Sequence, residues 1–165
     1  MTTNSPASIE RIFISPGHNF YGRFGDPPLD HPILSVETVE CVAGRGLRGD
    51  RFFDYKPDYK GQITFVSRET LEEIWADLSI PPDRRDLAAT RRNVLTTGID
   101  LSTLIGREFE ICGVRFLGSE ECKPCAWMDA AIAPGAERRL RGRGGLRARI
   151  LSDGVLRVGP VEVRP

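Results

Sequence analysis

The tetrapeptide Cys122-Lys123-Pro124-Cys125 is the part of the chain best suited to chemistry. Two thiols at that spacing can share a metal, form a redox disulfide, or set up one activated thiolate. A structural zinc site needs four ligands, commonly from two such pairs; here there is one pair, and His18 and His31 lie far off in a loop rich in glycine and proline. Disulfide exchange of the thioredoxin kind fits the Cys-x-Pro-Cys pattern, but that fold presents its pair early, after a first βα unit, and this pair comes late. A third reading is two incidental core cysteines; the intervening lysine and proline, which suit a loop, weigh against it. In the remaining reading Cys125 opens a helix over residues 126–132, where unpaired backbone N–H groups and the helix dipole favour a thiolate. Such a sulfur can ligate a soft or high-valent metal, or hold a transferable sulfur as a persulfide, with Cys122 as a supporting or resolving neighbour.

Arginines gather in three places. Arg45, Arg48 and Arg51 fall in Gly44-Arg45-Gly46-Leu47-Arg48-Gly49-Asp50-Arg51, where glycine lets the backbone approach a ligand and arginine offers a forked donor for phosphate. A glycine-rich turn with solvated arginines accounts for the same residues equally well. Arg91-Arg92-Asn93 enters a strand, and six more arginines, Arg147 among them, lie between residues 138 and 149, interleaved with Gly142, Gly144 and Gly145. Read blandly, this last cluster is a solvated face; read functionally, the clusters converge on a pocket for a small polyanion. A nucleic-acid surface would leave the whole domain basic and offer stacking aromatics. Instead 23 basic residues balance 23 acidic ones, so any electrostatic function is local.

The elements that must position these groups read mostly as short strands. Alternation of apolar and polar residues predicts strands over residues 9–15 and 36–43. Between them, residues 16–32 hold Gly17, His18, Gly22, Gly25, Pro27 and Pro28, a loop long enough to be a functional flap. Further strands are expected over 62–66, 93–97, 108–112 and 114–117, with Gly113 at a turn or bulge. Ser67 can cap a helix that places Leu71, Ile74, Trp75 and Leu78 on one face and ends at Pro81-Pro82. Asp100 caps a single turn through Leu104, and a second short helical piece covers 136–140. Strands over 146–151 and 155–158 are joined by Asp153-Gly154, which predicts a tight hairpin. Many short strands with glycine-rich corners and two or three helices predict a mainly β fold, a closed or nearly closed β-barrel with peripheral helices.

At 165 residues and 40% hydrophobic composition there is room for one domain with a real core, expected over residues 9–165 after a flexible stretch 1–8. No apolar run suits a membrane span and the start lacks the apolar block of a signal peptide, which predicts a cytoplasmic protein with no membrane or nucleic-acid partner. Its four cysteines are then reduced thiols, metal ligands or redox groups, with Cys41 and Cys112 expected in the core.

Taken in order, Gly46-Leu47-Arg48-Gly49-Asp50-Arg51, Arg91-Arg92-Asn93, Gly98-Ile99-Asp100-Leu101, Gly106 and Cys122-Lys123-Pro124-Cys125 resemble the MOSC domain. That domain is the C-terminal part of molybdenum-cofactor sulfurases and also occurs as small standalone proteins. The resemblance runs from about Ile9 to Val163. It implies a β-barrel-like fold and one functional cysteine, matching Cys125, which either ligates molybdenum or carries sulfur to it. It also implies that Arg91, Arg92 and Asn93 help hold the phosphate and pterin of the molybdenum cofactor (molybdopterin); Arg48, Asp50, Arg51 and Arg147 join this pocket by inference from their clusters. The activity expected from the resemblance is reduction of N-hydroxylated substrates, with electrons from a partner protein. The alternatives are a persulfide carrier that serves a molybdenum enzyme, and a non-catalytic anion-binding module. The larger reductases carry an extra N-terminal β-barrel that does not fit here. Nor does the sulfurases' pyridoxal-phosphate domain with its Schiff-base lysine, so pyridoxal phosphate is tied to this chain by family association alone.

Overall fold

The computed structural model describes residues 6–19 and 29–165, so part of the expected flexible start and the middle of the expected flap lie outside the described residues. The chain is mainly β with a few short helices. In order come β1 (Ser8–Ile14), β2 (Leu34–Val36), β3 (Thr38–Val42), β4 (Gly46–Leu47), β5 (Ile63–Ser67) and α1 (Arg68–Asp77). There follow β6 (Val94–Thr97), β7 (Glu108–Ile111), β8 (Val114–Glu121), α2 (Trp127–Ala131), α3 (Ala136–Leu140), β9 (Leu146–Ile150), β10 (Gly154–Arg157) and β11 (Gly159–Pro160). The larger sheet has the order β11-β1-β6-β5-β9-β8-β7, with β2 also paired to β1, and a smaller sheet has the order β10-β3-β4.

Continuous pairing does not close the large sheet into the expected barrel. Its two edges are linked through the C-terminal segment: β11 lies on β1, and a single bridge joins Arg164 to Glu110 of β7 by two backbone hydrogen bonds of 2.8 and 3.0 Å. Between the sheets sits the main core, in which the Phe65, Phe109 and Phe116 rings meet at centroid distances of 5.4–6.1 Å. Such pairs add about 0.5–1.5 kcal/mol each beyond the burial of their area.

The helix starting after Ser67 forms as its spacing predicts. The Ser67 hydroxyl caps it by accepting from Thr70 N; Leu71 and Trp75 are buried against the sheet, and Ile74 is buried against Met128, Ala136 and Leu140 of α2 and α3. It supplies the crossover between β5 and β6, the parallel pair of the large sheet. Asp100 likewise caps the one-turn 3-10 segment Leu101–Leu104.

Three expectations are corrected. The predicted strand 36–43 is split at Glu37: β2 stays on β1, whereas β3 starts the second sheet. The Asp153-Gly154 hairpin does not form, because β9 already has β5 on one edge and β8 on the other. The chain therefore crosses to the second sheet, β10 pairs with β3, and the Asp153 carboxylate accepts from Ala43 N at 2.8 Å. Cys112 is exposed rather than in the core, since it and Gly113 form the two-residue turn between β7 and β8 with φ of 54° and 75°. Positive φ at both positions is what a tight hairpin of this kind requires. Cys41 is fully buried, and burial pushes its thiol up to about 12, which makes it inert.

Asn93 fastens the strands that carry the site. Its side-chain oxygen accepts from Thr64 N and Thr64 Oγ1, both at 3.0 Å, and its amide nitrogen donates to Phe13 O at 3.2 Å. One buried side chain thus ties β1, β5 and the start of β6 together.

A thiol and arginine cavity as candidate functional site

The cysteine segment leaves the end of β8 and is clamped from below by Arg92. The Arg92 guanidinium donates to Cys122 O at 2.9 Å and to Gly144 O at 3.0 Å, and Cys122 N donates to Gly145 O at 2.8 Å. Gly144 permits this contact: a Cβ at that position would stand 2.3 Å from the Cys122 carbonyl oxygen. Cys122 is buried and Cys125 is partly exposed, and both are free thiols. The helix α2 starts two residues after Cys125, so Cys125 precedes it rather than opening it, and its carbonyl accepts from Met128 N at 3.0 Å.

Opposite the cysteines lies a buried arrangement of two arginines and one carboxylate. Asp50 has a fully buried side chain that accepts from Ser15 N at 3.0 Å, from Arg51 Nη1 at 3.2 Å and from Phe52 N at 3.3 Å. Arg51 also donates to Arg91 O at 3.2 Å. Arg91 holds a φ of 58° and donates through Nη2 to Ser15 Oγ at 3.1 Å and to Gly17 O at 2.9 Å. Burial and the neighbouring Arg51 lower the Arg91 guanidinium to about 10, with Asp50 opposing them. Arg51 is lowered too, chiefly by burial. Two guanidinium groups thus share one carboxylate in a poorly solvated place, leaving an excess positive charge there.

These groups meet around a cavity of about 270 Å³. Its walls include Arg51, Arg91, Arg92, Arg147 and Lys123, both Cys122 and Cys125, His18, Phe52, Tyr59 and Trp127, and no carboxylate among the described residues. Arg91 Nη1 and Thr90 Oγ1 are buried on this wall with no hydrogen-bond partner among the described residues. Arg147 donates to Glu120 at 3.2 Å. Burial works to lower it, but the Cys122 sulfur, Tyr59 and Glu120 outweigh burial and hold it above its ordinary value. A larger groove of about 650 Å³ lies elsewhere, lined by Glu69, Glu73, Asp100 and Glu121 with Arg143, and contains no thiol. The smaller cavity, and not the larger groove, combines a partly exposed sulfur with an arginine whose Nη1 has no hydrogen-bond partner among the described residues.

Of the residues singled out in the sequence, Arg51, Arg91, Arg92, Arg147 and Cys125 surround this cavity. Asp50 stands behind it, neutralising Arg51. Asn93 is in the strand core and not on the cavity wall, because all its polar atoms serve β1 and β5. Arg48 is outside as well: it forms an exposed ion pair with Glu40 at 2.7 Å and lies over the Phe53 ring. The rest of the 138–149 cluster is taken up at the surface, where Arg143 pairs with Glu73 and Asp77, and Arg149 with Asp58. His18, Tyr59, Thr90 and Trp127 were not singled out by motif. His18 sits in the loop expected to be a flap, whereas the other three carry no local pattern that separates them from ordinary core residues. No cluster of three or more His, Cys, Asp and Glu residues suited to a metal ion occurs among the described residues, and no helix there is long and apolar enough to cross a membrane.

A mainly β chain with a thiol pair and an arginine-lined cavity is the setting in which the comparisons with known proteins fall. The sequence model of the MOSC domain matches residues 46–161, and the chain belongs to the MOSC domain family. The YuaD protein from Bacillus subtilis has a similar structure, with a TM-score of 0.72 at 21% identity over 96% of each chain. YiiM from Geobacillus stearothermophilus gives a TM-score of 0.69 at 16% identity over 97% of this chain and 76% of that one. YiiM from Escherichia coli gives 0.66 at 14% identity over 97% and 69% respectively. At such identities these likenesses show the fold. No curated protein matches the chain.

Proposed function

We propose that the chain binds a molybdenum cofactor, with the cofactor's phosphate against Arg51 and Arg91 and the Cys125 sulfur as a ligand to the metal. The observation that carries this reading is Arg91, which lines the cavity and whose buried Nη1 has no hydrogen-bond partner among the described residues. An unmet donor of this kind costs about 1–3 kcal/mol, and an oxyanion offers the charge-assisted acceptor that removes the cost. The fit extends to the sulfur: Cys125 is partly exposed on the same wall, while the inert Cys41 is far inside the core. A volume of about 270 Å³ has room for an anionic group of such a cofactor. When bound, the cofactor would supply a redox-active metal for two-electron reduction of an N-hydroxylated substrate, with electrons from a partner protein. In that work Arg51 and Arg91 hold the anion, Asp50 keeps Arg51 in place, and Arg92 positions the cysteine segment through the Cys122 carbonyl. Cys122, which shares the cavity, favours a second reading in which Cys125 holds a persulfide sulfur for delivery to a molybdenum enzyme.

The arginines give a direct test in protein purified from a host that makes the cofactor. Arg91→Met removes one buried charge-assisted interaction of about 1.5–3 kcal/mol, which corresponds to about a tenfold to hundredfold loss of affinity. Arg48→Met, outside the cavity, leaves retention unchanged. Pterin fluorescence released by oxidative denaturation measures both. Equal retention by wild type and Arg91→Met, or equal loss in the two variants, would overturn the assignment of the phosphate to this cavity.

A further inference from the structure

We propose that His18 takes up a proton when an oxyanion enters the cavity, so that the site completes its positive lining only as it is filled. The inference rests on the anion-binding reading above and assigns a role to a residue that reading does not use. His18 lies on the cavity wall with Arg51 and Arg91. Arg91 fixes the backbone just before it by donating to Gly17 O at 2.9 Å, and the His18 ring meets Phe52 edge-on at 4.9 Å and Tyr55 at 5.6 Å. The imidazole is therefore held at the place where the buried positive charge is in excess.

The groups acting on it set the direction of the coupling. Burial lowers the His18 pKa first; Arg51, Arg91 and His31 lower it further, and Asp50 opposes them. Without an anion the ring is thus biased toward its neutral form. A dianion placed between Arg51 and Arg91 reverses the largest of these electrostatic influences and favours the imidazolium. A group whose pKa is higher in the bound than in the free state takes up protons on binding, so affinity rises as pH falls between the two values. By reciprocity, a proton already on His18 strengthens anion binding by the same factor.

Sulfate is the suitable probe, because its own charge is constant where histidines titrate. Calorimetric titration of the cofactor-free protein with sulfate, in buffers of different ionisation enthalpy between about pH 5.5 and 7.5, counts the protons exchanged. The expected result is uptake of up to about one proton, with affinity rising by at most about tenfold per pH unit as pH falls. His18→Gln keeps the weaker binding of high pH and loses the uptake, whereas His31→Gln keeps both. Binding without proton uptake, uptake that survives in His18→Gln, or uptake lost in His31→Gln and kept in His18→Gln overturns the role of His18 and leaves the anion cavity standing. Failure of sulfate to bind the wild type at any of these pH values removes the cavity reading and this inference together.

Discussion

Asp50→Ala destabilises the protein by about 3–5 kcal/mol, the usual loss when one partner of a buried ion pair is removed and the other stays behind. The carboxylate is fully buried and is the counter-charge to Arg51 at 3.2 Å, while Arg91 lies close enough for Asp50 to raise its pKa. It also accepts the Ser15 and Phe52 N–H groups, which fix the end of β1 against the 46–53 turn. Alanine leaves two buried guanidinium groups repelling each other and two backbone donors unmet. Denaturant melts of wild type and variant measure the loss as a shift in midpoint at unchanged slope. The double variant Asp50→Ala, Arg51→Met removes the stranded charge together with its partner and recovers a large part of the stability, but not the anion affinity. A single-variant loss below about 1 kcal/mol, the range of an exposed pair, would show that the arrangement is solvated and that no charge excess waits for a ligand.

The sequence is informative wherever a local pattern has one physical outcome. Ser67 followed by apolar residues at helical spacing, and Asp100 before a single turn, cap the segments they are expected to cap. Pairing is another matter. Asp153-Gly154 carries a strong hairpin pattern, yet the edges of β9 are already occupied by β5 and β8, strands distant in the chain, and no local rule reports such competition. The same limit governs the arginines. Arg48 and Arg51 are three residues apart in one glycine-rich turn and look equivalent in sequence. The structure sends one to an exposed partner, Glu40, and the other to a buried one, Asp50. Arg91, Arg92 and Asn93 are consecutive, but one lines the cavity, one clamps carbonyls and one ties strands. His18 reaches the site through a loop whose descent onto Phe52 leaves no periodic trace. The cysteine pair is legible because its residue types are rare and their spacing is short.

If Cys125 ligates the metal as proposed, Cys125→Ser is expected to abolish molybdenum retention and Cys122→Ser is not. The two sulfurs share a cavity but differ in exposure. Cys125 is partly exposed, with its carbonyl accepting from Met128 N, and so can reach a metal. Cys122 is buried, its N–H donating to Gly145 O, its carbonyl accepting from Arg92 and its sulfur close to Arg147. Serine in place of Cys125 would keep the shape and remove the soft sulfur donor proposed for the metal. The decisive measurement is elemental analysis of wild type and both variants, purified side by side from a cofactor-producing host. Stoichiometric molybdenum in wild type and Cys122→Ser, with background levels in Cys125→Ser, is the result expected of a metal-ligating Cys125; molybdenum undiminished in Cys125→Ser, or a labile sulfur on Cys125 with no metal in the wild type, would contradict it.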